Sequence, residues 1–283
     1  MPTQREFVLP GLKLAAQLWG RRGGIPVLAL HGWLDNASTF DLLAPLLPDC
    51  DLVALDLAGH GSSGFRSADA AYNIWEDVGD LLEVAEQLGW PRFNLLGHSR
   101  GAAIATLFAA AFPEHTDRVV LIEGGVPVLG TAADAPAMLA RSFRERRELR
   151  SKSGRVFPDR ETAIAERARG FTKLTPAAAE ILARRSLRQV EGGFQWHADQ
   201  RLKGAPEMRL TREHVRAFVE RVEAPVLMVL AEESPFGGTE LYQEMIAAFA
   251  EIETVVLPGA HHLHLEGAQA EIAALVRRFL AAA

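Results

Sequence analysis

Short apolar runs alternate with helical patterns along most of the chain. Runs without polar alternation predict strands that are buried on both faces, at residues 26–30, 52–55, 92–96, 118–122, 225–230 and 252–257. Two further strands are predicted at 7–9 and 12–19, joined by the turn pair Pro10-Gly11. Amphipathic helices are predicted between these strands, at residues 39–47, 74–88, 102–112, 239–250 and 272–280. This alternation is typical of an α/β fold, in which helices flank a mostly parallel sheet.

The alternation stops between residues 126 and 213, where we find no strand pattern. Between residues 138 and 169 there are ten Lys or Arg against five Asp or Glu, a distribution that indicates amphipathic helices with a solvated basic face. We therefore predict a helical cap at 126–213, inserted after the sixth strand into a core formed by 1–125 and 214–283. The aromatic stretch 192–199 includes Trp196, which could line a substrate pocket or anchor the cap.

The pattern Gly97-His98-Ser99-Arg100-Gly101 lies between the strand 92–96 and the Ala-rich helix 102–112. A serine between small residues at a strand-to-helix turn is typical of a nucleophile elbow. Glycines are needed there because side chains at the flanking positions would obstruct the turn. A chance glycine-rich turn is the alternative, and the strand–helix context favours a nucleophile at Ser99.

A second stretch of chemical interest, His31-Gly32-Trp33, directly follows the strand 26–30. An acyl-transfer enzyme needs two N–H groups to stabilise the oxyanion. One would come from the backbone of Arg100, after the nucleophile, and the other from Trp33 on this earlier loop. The alternative is an ordinary strand-to-helix connection.

Three histidines, His261, His262 and His264, follow the last predicted strand. A serine hydroxyl needs a base within hydrogen-bond reach, and the base needs a carboxylate to orient it. Metal binding is the competing interpretation of the histidines. Adjacent histidines on an irregular loop rarely form a closed site, and no cysteine or carboxylate spacing supports one. We therefore predict a catalytic base on this loop and no metal or cofactor.

These motifs together resemble the α/β-hydrolase fold superfamily over essentially the full chain. His31-Gly32-Trp33, the loop 56–61, the elbow and the late histidines stand in the family's order and spacing. More narrowly, the segments 31–36 and 261–266 resemble those of the serine hydrolase-like proteins. That resemblance aligns Glu266 with the family's late glutamate, which implies His261 as the base, with His262 as the alternative.

The triad acid departs from the commonest family pattern. The family usually has Asp after the strand 225–230, where this chain has Ser234 at the expected position. Some relatives carry the acid after the strand that follows the nucleophile helix, and here Glu123 occupies that place. The resemblance therefore implies Glu123, with Glu232 or Glu233 as the alternative.

The function implied is hydrolysis of a small, mostly apolar carboxylic ester through an acyl-enzyme. Hydrolysis of a C–C, lactone or thioester bond on the same residues is the enzymatic alternative. The second alternative is a binding protein without catalytic activity. It is suggested by Ser234, which stands where the family usually has the acid. The charge of Arg100 could also select an anionic substrate. We expect the substrate pocket to include His31, His98, Trp196 and His262.

Composition limits the partners and the compartment. The chain has 283 residues, a net charge of −6 and a single cysteine, Cys50. The negative net charge does not favour nucleic acid as a partner. The single cysteine excludes an internal disulfide and indicates a reducing compartment. No signal-peptide order and no apolar run of about 20 residues is present. We expect a cytoplasmic protein without a membrane span that acts on a small molecule, and its oligomeric state stays open.

Overall fold

A computed structural model describes residues 2–170, 172–234 and 239–282. Its strands are β1 Thr3–Leu9, β2 Leu12–Gly20, β3 Ile25–Leu30, β4 Cys50–Leu55, β5 Phe93–His98, β6 Thr116–Ile122, β7 Val156–Phe157, β8 Leu187–Val190, β9 Gly193–Trp196, β10 Val226–Ala231 and β11 Ile252–Leu257. Its helices are α1 Ile74–Leu88, α2 Arg100–Ala111, α3 Ala135–Leu149, α4 Arg160–Ala168, α5 Pro176–Ser186, α6 Arg212–Glu220, α7 Glu240–Ala247 and α8 Gln269–Ala281.

Within these ranges, eight strands form one sheet in the order β1-β2-β4-β3-β5-β6-β10-β11. From β4 to β11 all neighbours run parallel, whereas β1 and β2 pair antiparallel at one edge. Every residue of β4 and β10 is buried, as expected for strands covered on both faces. The predicted α/β sheet and all of its predicted strands are confirmed.

Helices cover both faces of this sheet. Helices α1, α2, α6 and α7 contribute to the core on one face, and α8 packs on the other. Helix α2 is buried from Gly101 to Ala110, because its small side chains allow close approach to the strands. Helix α1 ends at Gly89, whose φ of 69° closes the last turn as glycine readily does. None of the helices in the described ranges is long and apolar enough to cross a bilayer.

One predicted helix takes a different form. Residues 39–47 form two short 3₁₀ turns, Ala37–Phe40 and Ala44–Leu46, instead of one helix. Pro45 stands in the second turn, where its missing N–H interrupts a continuous helix. The apolar side chains expected to pack there, Phe40, Leu43 and Leu47, are fully buried.

The segment inserted after β6 is not purely helical. Besides α3, α4 and α5, it contains the antiparallel sheet β7-β9-β8, so the expectation of no strands there is wrong. These strands are too short to give a periodic signal, and positive φ at Gly192 and Gly193 turns β8 back into β9. The boundary predicted at residue 213 falls inside α6, whose cap is Thr211 and whose apolar face belongs to the main core.

Buried polar contacts attach the insert to loops that follow the parallel strands. Arg185 on α5 pairs with Asp56 after β4, with 2.7 Å between Nε and Oδ2. The Asn36 amide donates to the Leu182 carbonyl at 3.0 Å and to the Ser186 hydroxyl at 2.7 Å. The insert therefore covers the carboxyl ends of the strands, which is the usual location of a site in open α/β sheets.

Candidate active site

Ser99 stands at a strained turn between β5 and α2. Its φ of 53° and ψ of −117° lie outside the regions that ordinary residues favour. A Cβ on Gly97 would lie 2.4 Å from the Cα of Ala102, and one on Gly101 would lie 2.1 Å from the carbonyl oxygen of Leu30. Neither distance is tolerable, so both glycines are required for the turn. Such backbone strain often occurs at functional positions.

A third glycine supports the same turn and was not identified from the sequence. A Cβ on Gly124 would lie 2.5 Å from the backbone oxygen of Ser99. Gly124 follows β6, the neighbour of β5, so this contact depends on how the two strands align. The signal in the sequence is only the pair Gly124-Gly125 after an apolar run.

The structure brings Ser99, His261 and Glu123 together. The Ser99 hydroxyl oxygen lies 3.0 Å from His261 Nε2, and His261 Nδ1 lies 3.2 Å from Glu123 Oε2. The other Glu123 oxygen accepts a hydrogen bond of 2.6 Å from the backbone N–H of Ala231. Glu123 is fully buried, and these partners compensate its charge.

The alternative acids occupy a different environment. Glu232 and Glu233 follow β10 and have exposed side chains. Their backbone N–H groups donate to carbonyls of Leu257 and Gly259, which continues the pairing of β10 with the last strand. Among these carboxylates, it is Glu123 that lies beside the imidazole of His261.

Two backbone segments border Ser99 where an oxyanion would form. Arg100 is the first residue of α2, so its N–H has no acceptor within the helix. On the other side, a Cβ on Gly32 would lie 3.2 Å from the Ser99 Cβ, so the loop after β3 approaches the serine closely. The indole of Trp33 on that loop donates to the Leu202 carbonyl at 2.9 Å. Trp33 and Arg100 thus both line the space above the serine.

The other histidines anchor the loop that carries His261. His98 Nε2 donates to the His261 carbonyl at 2.9 Å, and His264 Nε2 lies 2.8 Å from the Thr39 hydroxyl. Burial and the neighbouring histidines lower the pKa of His98 well below its usual value and that of His264 to about 3. Both rings are therefore neutral near pH 7, and their hydrogen bonds hold the loop in place.

Asp35 forms a group of potential metal ligands with His98 and His262. Donor atoms of Asp35, His98 and His262 lie within 4.8 Å of one another. Asp35 Oδ1 already binds the Arg167 guanidinium at 2.5 Å, and Oδ2 binds His262 Nε2 at 3.1 Å. Burial opposes ionisation of Asp35, but His262 and Arg167 outweigh it and hold its pKa well below the usual range. We interpret this group as an ion-pair network in which Arg167 supplies the cation.

A cavity of about 590 Å³ opens above Ser99, between the core and the insert. Large apolar side chains from both parts contribute to its wall, among them Trp33, Trp75, Val126, Met208, Leu210 and Tyr242. The cavity is in the size range of small-molecule sites, which are usually apolar with a few polar groups.

Three partly buried cations of the cavity wall are paired with carboxylates. Arg100 lies 2.7 Å from Asp77, Arg146 lies 2.5 Å from Glu207, and Arg201 lies 2.6 Å from Asp199. The hypothesis that Arg100 selects an anionic substrate loses its basis, because Asp77 already neutralises that guanidinium. The charges of these three guanidinium groups are therefore compensated within the wall.

Comparisons with known proteins agree with this architecture. A family model described as alpha/beta hydrolase fold matches residues 25–268. The chain belongs to this family. The zebrafish (Danio rerio) serine hydrolase-like protein is 32% identical over 98% of this chain and 88% of its own length. Human serine hydrolase-like protein 2 is 30% identical over 98% of this chain and 94% of its own length. The chain thus belongs to the serine hydrolase-like branch of the α/β hydrolases.

Solved structures show the same fold. The crystal structure of a hypothetical protein from Pseudomonas aeruginosa PAO1 is 44% identical, covers 98% of both chains and superposes with a TM-score of 0.93. A thioesterase domain from the curacin biosynthetic pathway superposes with a TM-score of 0.87 at 24% identity, over 98% of this chain and 99% of its own. At that identity, the thioesterase supports only the α/β-hydrolase fold.

Several residues predicted for the substrate pocket lie elsewhere in this α/β hydrolase. His31 and His98 are fully buried and do not line the large cavity, because their side chains turn inward where β3 and β5 end. His31 instead accepts a hydrogen bond from the Leu57 N–H at 3.0 Å. Trp196 lines a separate cavity of about 330 Å³. His262 does border the large cavity, although its side chain is almost fully buried.

Proposed function

We propose that this chain hydrolyses a carboxylic ester or a related acyl bond through Ser99, His261 and Glu123. The observation that carries the proposal is the aligned series of contacts, 3.0 Å from the serine oxygen to Nε2 and 3.2 Å from Nδ1 to the carboxylate. A base contacted by both a strained serine and a buried carboxylate can activate the hydroxyl. Membership of the α/β-hydrolase family supports hydrolysis as the reaction class.

The proposed reaction has two steps, and the same histidine serves both. His261 Nε2 takes the hydroxyl proton as the Ser99 oxygen attacks the carbonyl carbon, and Glu123 stabilises the resulting imidazolium. Backbone N–H groups of Trp33 and Arg100 bind the oxyanion, and each such donor is worth roughly 2.7–4 kcal/mol in a serine protease. The imidazolium gives its proton to the leaving alkoxide, and water then cleaves the acyl-enzyme by the same route.

The cavity above Ser99 indicates the substrate class. A mostly apolar space of about 590 Å³, with paired cations in its wall, suits a neutral ester with a sizeable apolar group. Thioester, lactone or C–C hydrolysis would use the same residues, so a substrate panel has to separate these reactions. The alternative of a non-catalytic binder arose from the missing acid at Ser234, and the Glu123 contact counts against it.

Labelling with a fluorophosphonate probe tests the proposal. We expect rapid labelling of the wild-type protein and none of Ser99→Ala, because the probe reacts only with an activated nucleophile. Circular dichroism of both proteins controls for folding. The hydrolysis of p-nitrophenyl esters of two to twelve acyl carbons then tests the apolar preference. A folded wild-type protein that neither labels nor hydrolyses any of these esters would contradict the proposed function.

Two broader features belong to the same proposal. We propose that residues 126–213 act as the cap that shapes the cavity, since Arg146, Arg201 and Met208 of this segment border it. We also propose a reducing, cytoplasmic location, on the basis of one buried free cysteine, Cys50.

A further inference from the structure

The Asp35 carboxylate joins three parts of the molecule beneath the candidate site. Asp35 lies two residues after Trp33, on the loop that borders Ser99. Its Oδ2 contacts His262, the residue next to His261, and its Oδ1 contacts Arg167 on cap helix α4. The side chains of Asp35 and His262 are each 1% exposed, and that of Arg167 is 14% exposed. One buried network therefore connects the cap to both sides of the catalytic centre.

We propose that Arg167 and Asp35 are positioning residues that hold His261 in line with Ser99 when the cap is docked. The inference rests on the proposed function, because it concerns the orientation of the proposed base. Arg167 does not line the large cavity but borders the smaller one of about 330 Å³. It therefore acts on the reaction through Asp35 and His262 and does not touch the substrate.

The loop of His261 depends on this network for its orientation. Its backbone carbonyl is held by His98, and the ring of the next residue is held by Asp35. Without Arg167, Asp35 would be a buried carboxylate that has lost its only guanidinium partner among the described residues. Such a charged group draws in water and shifts its neighbours. A displacement of about 1 Å at a catalytic group can reduce the rate about 100-fold.

The network also sets the electrostatic potential near His261. A change of charge in the network should therefore change the pH dependence of the reaction. Asp35 is surrounded by five histidines and one arginine, namely His31, His60, His98, His262, His264 and Arg167. His261 itself is faced by the Glu123 carboxylate and by the rings of His98 and His262. Removal of the Arg167 charge makes this region more negative and favours a protonated base. Removal of the Asp35 charge makes it more positive and favours the neutral base.

The test compares Arg167→Met, Arg167→Lys, Asp35→Asn and a control, Arg155→Met. Arg155 lies on the same cap but pairs with the exposed Glu166 within the cap, so the control keeps the network. We expect Arg167→Met to lower kcat and the phosphonate labelling rate about 10- to 100-fold with little change in KM. Arg167→Lys should recover most of the loss, and Arg155→Met should match the wild-type protein.

The pH dependence distinguishes positioning from a merely structural role. The acid limb of the rate profile should move to higher pH in Arg167→Met and to lower pH in Asp35→Asn, by on the order of 0.5 pH unit. A simple loosening of the cap would not produce opposite shifts. Shifts in the same direction, or an increase confined to KM, would overturn the inference.

Failure of the inference can be separated from failure of the proposed function. If the wild-type protein labels at Ser99 and Arg167→Met labels equally fast, the network proposal is wrong and the hydrolase proposal stands. If the wild-type protein does not label, nitrogen NMR of the histidine rings still decides the network. Changed His261 and His262 signals in Arg167→Met, with unchanged signals in Arg155→Met, support it, and unchanged signals in both variants overturn it.

Discussion

At the scale of single residues, Glu123 shows how position in the fold changes what a side chain can do. It is a fully buried carboxylate with a φ of 49°, and its two oxygens face His261 and the Ala231 N–H. An unpaired charge would not be tolerated in this position. Its partners, the His261 imidazole and the Ala231 N–H, therefore explain how the fold accommodates a carboxylate at this buried position.

The first prediction concerns this carboxylate. Glu123→Gln keeps the size of the side chain but favours the wrong imidazole tautomer, so we expect kcat to fall by about 10⁴, as in the corresponding protease substitution. Glu232→Gln and Glu233→Gln should retain wild-type turnover. Ester hydrolysis at saturating substrate measures the effect. Equal losses in Glu123→Gln and Glu232→Gln would show that the acid is misassigned.

The second prediction concerns Gly124. Gly124→Ala places a Cβ 2.5 Å from the backbone oxygen of Ser99, so we expect distortion of the elbow and loss of phosphonate labelling. The matched control is Gly79→Ala in α1, where a Cβ meets nothing within 4 Å. That control should keep full labelling and gain about 0.5–1 kcal/mol of unfolding free energy. Normal labelling of Gly124→Ala would contradict this explanation of the turn.

At the scale of elements, buried polar groups attach the insert to the loops that follow the parallel strands. Arg185 and Asp56 are 7% and 0% exposed, and Asp56 also accepts from the backbone N–H groups of Ala37 and Ser62. The adjacent Arg184 is 63% exposed and lies 3.9 Å from Glu180 on its own helix. The buried pair of Arg185 should therefore contribute more to the free energy of unfolding than the exposed pair of Arg184.

The third prediction follows from that contrast. Arg185→Met leaves the Asp56 charge buried and uncompensated, which typically costs about 3–5 kcal/mol. Arg184→Met removes an exposed pair worth less than about 1 kcal/mol. Urea unfolding of the two variants measures the difference. Equal destabilisation by both substitutions would show that burial of the Arg185 pair does not control how the insert is attached.

At the scale of the whole molecule, buried neutral histidines link stability to pH. Burial is the main reason that the pKa of His31 and that of His60 fall to about 4, and that of His264 to about 3. In the unfolded chain these rings bind protons below about pH 6.5, whereas in the folded protein they stay neutral down to about pH 4. The unfolded state thus binds more protons in this window.

The fourth prediction is therefore a loss of stability as the pH falls from about 6.5 to about 4. Each such histidine contributes up to about 1.4 kcal/mol per pH unit in this window. Urea unfolding at pH 7 and pH 5 measures the slope. His264→Gln should reduce the slope, because it removes one of these buried rings. An equal slope in His264→Gln and the wild-type protein would refute the assignment.

The sequence by itself determined the α/β sheet, the elbow at Ser99 and the order of the site segments. Those features follow from local rules, because buried strands need unbroken apolar runs and the strained turn needs Gly97 and Gly101. The short strands β7, β8 and β9 were not predicted because each has only two or four residues, too few to give a periodic signal.

Only the tertiary structure decided which side chains meet. Glu123 could be proposed from its position, but its distance to His261 depends on how β6 and the loop after β11 pack. The inward orientation of His31 and His98, the pairing of Arg100 with Asp77 and the network at Asp35 join residues far apart in the sequence. No local pattern encodes such contacts, because burial and charge pairing arise only when distant segments come together.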